Sequence, residues 1–107
     1  MTQLDITVHN DHHRLLLTVT GPINSYTFTD FQEKLTKAIT QADTAVDMEH
    51  VTALSSAGIG VIMTAMEDAQ ATGNGFAIVN PSEAVRLAID STGFGDQFPI
   101  VKTLKLV

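Results

Sequence analysis

Apolar residues alternate with polar ones at Leu4, Ile6 and Val8, and again at Leu15, Leu17 and Val19 after the polar pair Asn10-Asp11. A period of two puts one face of each run in a core and predicts two antiparallel strands joined by a hairpin. The loop Gly21-Pro22-Ile23-Asn24 ends the second strand, and Asn24 or Ser25 stands where it can cap a helix with the apolar face Phe28, Phe31, Leu35, Ala38 and Ile39. Residues 44–48 form a short strand. From Gly58 onward the period becomes helical, through Ile59, Ile62, Met63, Met66 and Ala69, and Gly73 occupies the place of a left-handed C-terminal cap. Phe76 to Val79 is a compact apolar run, read as a buried strand. Asn80-Pro81-Ser82 stops it and opens a third helix through Val85, Ala88 and Ile89, which Gly93 terminates. Residues 98–107 are largely apolar and fit either a last strand or a packed extension.

The order strand, strand, helix, strand, helix, strand, helix, tail places the chain in the α/β class. Strands separated by helices pair in parallel through right-handed crossovers, while the opening hairpin contributes an antiparallel pair. The expected architecture is a mixed sheet of four to five strands with helices packed against it. No repeat, low-complexity stretch or linker interrupts residues 1–107, which are read as one domain.

Composition narrows the function classes. The chain is 44% hydrophobic and 17% charged, the balance of a globular protein able to bury a core of its own. It has no cysteine, which removes disulfides and thiolate chemistry and fits a reducing compartment. Twelve acidic against six basic side chains give a net charge of -6, which repels the phosphate backbone of nucleic acid and finds no footing on anionic lipid. Neither a signal-peptide pattern nor an apolar run of roughly 20 residues is present, so a cytoplasmic protein without membrane insertion is expected.

The most informative stretch runs from Val46 through Asp47-Met48 to Leu54-Ser55-Ser56-Ala57-Gly58-Ile59-Gly60. A strand passes through a Ser-Ser turn into a helix, so two hydroxyls lie where unpaired helix amides and the positive end of the helix dipole converge, a favourable place for a phosphate. Either serine could equally be an ordinary helix cap. Gly58 and Gly60 are each about 1 kcal/mol worse than alanine inside a helix, so each serves either close helix-on-sheet packing or the close approach of another molecule. Ile59, Met63 and Met66 read as core residues, with Ile59 near enough to the helix start to show an edge to a partner.

The remaining chemistry is sparse. His9, His12, His13 and His50 have neither cysteine nor a helical His-x-x-x-His spacing beside them. The His12-His13 pair, if in a strand, points to opposite faces, so a metal site is not expected. Asp47, Glu49 and His50 with Ser55 do not make a hydrolase: no Gly-x-Ser-x-Gly elbow and no oxyanion site accompany them. The glycines lack the Gly-Lys-Ser/Thr ending of a phosphate loop. No catalytic residue, metal or cofactor is called for.

With these residues in view, the chain resembles a STAS domain, specifically a small bacterial anti-sigma-factor antagonist. The likeness spans nearly the whole chain: the order of elements, the Gly-Pro-Ile-Asn loop before the first helix, Asp47-Met48, and the string from Leu54 to Gly60. Members of that family typically carry Asp-Ser-Ser/Thr-Gly in the turn and are phosphorylated on the first serine of that string. Alignment on Gly58 and Gly60 implies that the phosphoacceptor is Ser56. Ser55 then stands in the place of the family aspartate, Ala57 in that of the following Ser/Thr, and Ile23-Asn24 in that of a Leu-Asp pair.

The resemblance implies a non-enzymatic role in a partner switch. The unphosphorylated chain would bind an anti-sigma factor that is also a serine kinase of the GHKL type, be phosphorylated on Ser56 and be released; a PP2C-like phosphatase would reset it. Asn24, Ser55, Ser56, Ala57, Gly58 and Ile59 are the implied partner-binding residues. A different outcome of the same resemblance is a non-switching accessory or scaffold subunit, for example of a lipid-transport ABC system or a signalling assembly.

Overall fold

The computed structural model describes residues 3–101. Its elements, in chain order, are β1 (Asp5–Asp11), β2 (Arg14–Ile23), α1 (Phe28–Gln41), β3 (Asp43–Leu54), α2 (Ser56–Thr72), β4 (Phe76–Val79), α3 (Glu83–Asp90), a short 3-10 turn (Gly95–Gln97) and β5 (Ile100–Val101). The strands form one sheet in the order β1-β2-β3-β4-β5. The β1–β2 hairpin is antiparallel and every other pair is parallel. The mixed α/β sheet expected from the sequence is therefore present with five strands.

Register explains which alternating residues reach the core. Leu17 is opposite Val46, Val46 opposite Ile78, and Ile78 opposite Ile100, a row of apolar side chains crossing four strands on one face. Leu15, Val19 and Ile23 share that face on β2, where buried and half-exposed residues alternate. Phe31, Leu35, Ala38 and Ile39 of α1 and Val61, Ile62, Ala65 and Ala69 of α2 are buried in the same cluster, joined by Val85 and Ile89 of α3. Ala77, Ile78 and Val79 are all buried, as a short strand enclosed on both faces requires.

Two local readings change, and one left open is decided. The third strand does not stop at Met48: it continues to Leu54, because β2 also runs on and pairs with it as far as Ile23 and Leu54. Two register shifts, between Thr18 and Thr20 and between Gly21 and Pro22, accommodate the extra length. Gly21 is required there, since its φ of 104° is left-handed and a Cβ would collide with the backbone carbonyl of Gln3. Secondly, His12 and His13 are not in a strand. They form the two-residue hairpin loop with φ of 48° and 73°, the backbone of a type I′ turn that glycine or asparagine usually occupies. Thirdly, β5 confirms a last strand at Ile100–Val101, and the rest of the tail, 102–107, lies outside the described residues.

The hairpin supplies the first prediction. A histidine in the left-handed region is disfavoured by about 1 kcal/mol relative to glycine. His13→Gly should therefore raise the unfolding free energy by about that amount in urea titration, with the m-value unchanged.

Candidate functional site

The turn between β3 and α2 is built by three neighbouring features. The backbone amide of Ser55 donates to the carbonyl of Ile23 at 2.9 Å, continuing the β2–β3 pairing one step beyond the strands and locking the start of α2 to the end of β2. Ser55 has an extended backbone, φ -82° and ψ 172°, and its Oγ accepts the Gly58 amide at 3.3 Å. Ser55 is thus the cap of α2. Ser56 is the first residue inside the helix and its side chain is exposed. The sequence left the cap open between the two serines; geometry assigns it to Ser55 and leaves Ser56 facing solvent.

The two glycines part company here. A Cβ on Gly58 would lie 2.5 Å from Leu54 Cδ1 and 2.7 Å from Ile23 Cγ2, so the first turn of α2 closes onto the sheet only because that atom is missing. At Gly60 a Cβ would meet nothing within 4 Å. Gly58 is buried and Gly60 exposed. Packing accounts for the first and leaves the second, a glycine inside a helix at a cost of about 1 kcal/mol, without a reason inside the fold.

On the neighbouring loop, Asn24 Oδ1 accepts the amides of Tyr26 at 2.8 Å and Thr27 at 3.1 Å, and its carbonyl accepts the Phe28 amide at 2.9 Å. Thr27 Oγ1 donates to the Pro22 carbonyl at 2.8 Å and accepts the Asn24 amide at 2.9 Å. Asn24 therefore does cap-like work one turn ahead of α1, whose formal cap, Thr27, makes no side-chain cap bond. The neutral amide keeps the bonding that a carboxylate would supply. Between these bonds stands Tyr26, 93% exposed, which the sequence reading passed over. Nothing in the alternation of residues flags it, because an aromatic next to a helix start reads as core.

Of the other implied partner-binding residues, Ala57 and Ile59 are half-buried, Ile59 packing against the core. Met66 does the same. Met63 does not follow them: it is 45% exposed on the outward side of α2, against the expectation that it is core. The hydroxyls are not part of a catalytic relay. Asp47 Oδ1 accepts the Glu49 amide, His50 Nε2 lies 3.9 Å from Glu49 Oε2 on the exposed surface, and no hydrogen bond among the described residues links these groups to either serine. No cluster of three metal-ligating side chains occurs among the described residues. No helix among them is long and apolar enough to cross a membrane.

The site is a strand–serine turn–helix held on a five-stranded mixed sheet, and comparison with known proteins makes the assignment. The family model for the STAS domain matches residues 3–106, and the chain belongs to that family. A search of curated proteins found no match. Among solved structures, an anti-sigma factor antagonist from Mycobacterium paratuberculosis is similar with a TM-score of 0.84 and 22% identity, covering 96% of this chain and 89% of that one. The anti-sigma factor antagonist SpoIIAA in its unphosphorylated form gives 0.73 and 18%, covering 99% and 92%. The Bacillus cell fate determinant SpoIIAA in its phosphorylated form gives 0.68 and 17%, covering 99% and 96%. At these identities the likeness is one of fold.

The site yields a second prediction. Ser55→Ala removes the cap and should cost about 1 kcal/mol, within a range of roughly 0.5–2. Gly58→Ala overpacks Ile23 and Leu54 and should cost roughly 1–3 kcal/mol. Ser56→Ala, which touches neither, should stay within about 0.5 kcal/mol of the parent. Urea denaturation of the three variants checks the order.

Proposed function

We propose that this chain is the phosphorylatable antagonist of a partner switch, with Ser56 as the phosphoacceptor. The observation that carries the reading is the division of labour at the turn: Ser55 holds the helix, and Ser56 presents an exposed hydroxyl at its first residue. Membership of the STAS family and the fold shared with anti-sigma factor antagonists support it. Unphosphorylated, the chain binds an anti-sigma factor that is itself a GHKL-type serine kinase, through the surface around Asn24, Ser55, Ser56, Ala57 and Ile59, with Gly58 shaping it from beneath. Ser56 Oγ then attacks the γ-phosphorus of ATP, ADP leaves, and the hydroxyl proton passes to a base of the kinase. A PP2C-like phosphatase hydrolyses the phosphoserine and returns the hydroxyl. The chain is substrate and competitor in this cycle, not catalyst, and works in the cytoplasm on transcription through its partner.

Electrostatics make modification compatible with a stable fold. Phosphate adds about -1.5 to -2 charges. No acidic side chain lies in the first turn of α2, so the helix N-terminus meets this charge without local competition and favours it by roughly 0.3–1 kcal/mol. A partner docked on the same hydroxyl gains a desolvated like charge or a steric clash, and a cost of a few kcal/mol there is a loss of about a hundredfold or more in affinity.

The test begins with the chain purified from its own cells, with its bound kinase and its phosphosite identified by mass spectrometry. Reconstitution with that kinase and ATP should place phosphate on Ser56. Ser56→Asp should lose binding by calorimetry with a melting temperature near the parent's, and Ser56→Ala should bind without being phosphorylated. Equal affinity of the two variants would reject the switch in favour of a non-switching scaffold subunit, the reading for which Ser55 in the family's aspartate position leaves room.

A further inference from the structure

We propose that Tyr26, on the β2–α1 loop beside the turn, and Gly60, one helical turn beyond Ser56 on α2, are the shape-determining residues of the docking surface around Ser56, Tyr26 entering a pocket of the serine kinase and Gly60 admitting a ridge of it. The inference rests on the function proposed above and adds which residues give the partner its fit. Both positions depart from what the fold itself asks for. Tyr26 is a large aromatic that is 93% exposed and takes no part in the core, yet its backbone is fixed on both sides by the Asn24 and Thr27 hydrogen bonds. A protruding tyrosine on a fixed backbone, with only two side-chain torsions to order, offers a large amphipathic contact for little conformational entropy, the profile of an interface anchor.

Gly60 is the converse case. It sits inside α2, exposed, where alanine would stabilise the helix and where the missing Cβ would meet nothing within 4 Å beyond the helix's own local backbone. Ser56, Gly60 and Met63 recur at intervals of three or four residues and so share one side of the helix, which is the outward side, opposite buried Val61, Ile62 and Ala65. Between Ser56 and Met66 the helix carries no charged residue, although the chain as a whole has net charge -6 and the outward side of α1 carries Asp30, Glu33 and Lys37. Depletion of charge beside an exposed glycine and a half-exposed methionine is the composition of an interface centre, not of a solvated helix face. The surface is continuous with Ser56, so its occupant is the protein that reads Ser56.

The test uses the full chain and the kinase shown to phosphorylate Ser56. Calorimetry compares the parent with Tyr26→Ala, Gly60→Ala and a control on the outward side of α1, Gln32→Ala. Tyr26→Ala should weaken binding by about tenfold or more with an unchanged melting temperature. Gly60→Ala should weaken binding by about tenfold or more while raising the melting temperature, a combination that a purely structural residue does not give. Both should lower kcat/KM for Ser56 phosphorylation, and Gln32→Ala should match the parent in every measure. A smaller loss of affinity in either variant, with the parent binding normally, overturns this inference and leaves the phosphoswitch standing. A parent that its co-purifying kinase neither binds nor phosphorylates overturns the proposed function and this inference together.

Discussion

The absence of one side chain, at Gly58, sets the geometry on which the rest of the site depends. With nothing at that Cβ, the first turn of α2 comes down onto Ile23 and Leu54, the last residues of β2 and β3. That approach lets the Ser55 amide reach the Ile23 carbonyl and extends the sheet into the turn. Ser55 is then held in the extended conformation a cap needs, its oxygen falls on the Gly58 amide, and the next residue is turned outward. The chain from packing to cap to exposed hydroxyl is a single construction. A bulkier residue at Gly58 would disturb all three levels at once, which is why a buried glycine belongs to a surface site.

The two ends of the sheet are built differently. At the end where β3 and β4 begin, polar side chains stitch loops to each other: Asn74 Nδ2 donates to the Ile39 carbonyl and Asp43 Oδ1 accepts the Gly75 amide. At the other end, beyond the carboxyl termini of parallel β2 and β3, the Asn24 and Thr27 bonds and the backbone bond from Ser55 to Ile23 hold the loops while Tyr26 and Ser56 stay in solvent. Ligands and partners of open parallel sheets gather at the carboxyl ends of the strands, because helix N-termini point there. Here the β2–β3 pairing runs on from Asp47, the last β3 residue paired with β4, to Leu54, and Ser82 at the start of α3 braces that extension by donating its hydroxyl to the Val51 carbonyl at 2.7 Å.

Most of the framework was legible from local patterns. Alternation found β1 and β2, helical spacing found Phe31, Leu35, Ala38 and Ile39, and Gly73 with φ of 81° closes α2 as its position suggested. What stayed hidden depended on contacts distant in sequence. The extension of β3 through Glu49, His50 and Thr52 is invisible to hydropathy, since those residues are polar and the extension is held by pairing of His50, Val51, Ala53 and Leu54 with β2. His12-His13 lacked the asparagine or glycine that announces a type I′ turn. Met63 looked like core because apolar character and helical spacing do not say which side of a helix is covered. Gly58 and Gly60 were indistinguishable in the sequence, and only Ile23 and Leu54, brought in from two strands, separated them.

The neutral cap bears on how a switch at this site would work. Aspartate in the place of Ser55 would bond the same amide and also bring a standing negative charge to the start of α2. Ser55 supplies the bond without the charge, and Asn24 does the same on the facing loop, where the family has a carboxylate. Both substitutions keep acceptor geometry and remove charge. The unmodified turn is therefore an uncharged island on an acidic protein, and phosphate on Ser56 would be the first negative group in the first turn of α2. In the proposed switch the contrast between the two states would grow because the background is neutral: a partner fitted to the bare turn would meet no charge until phosphate supplied it, and would then meet all of it at one residue.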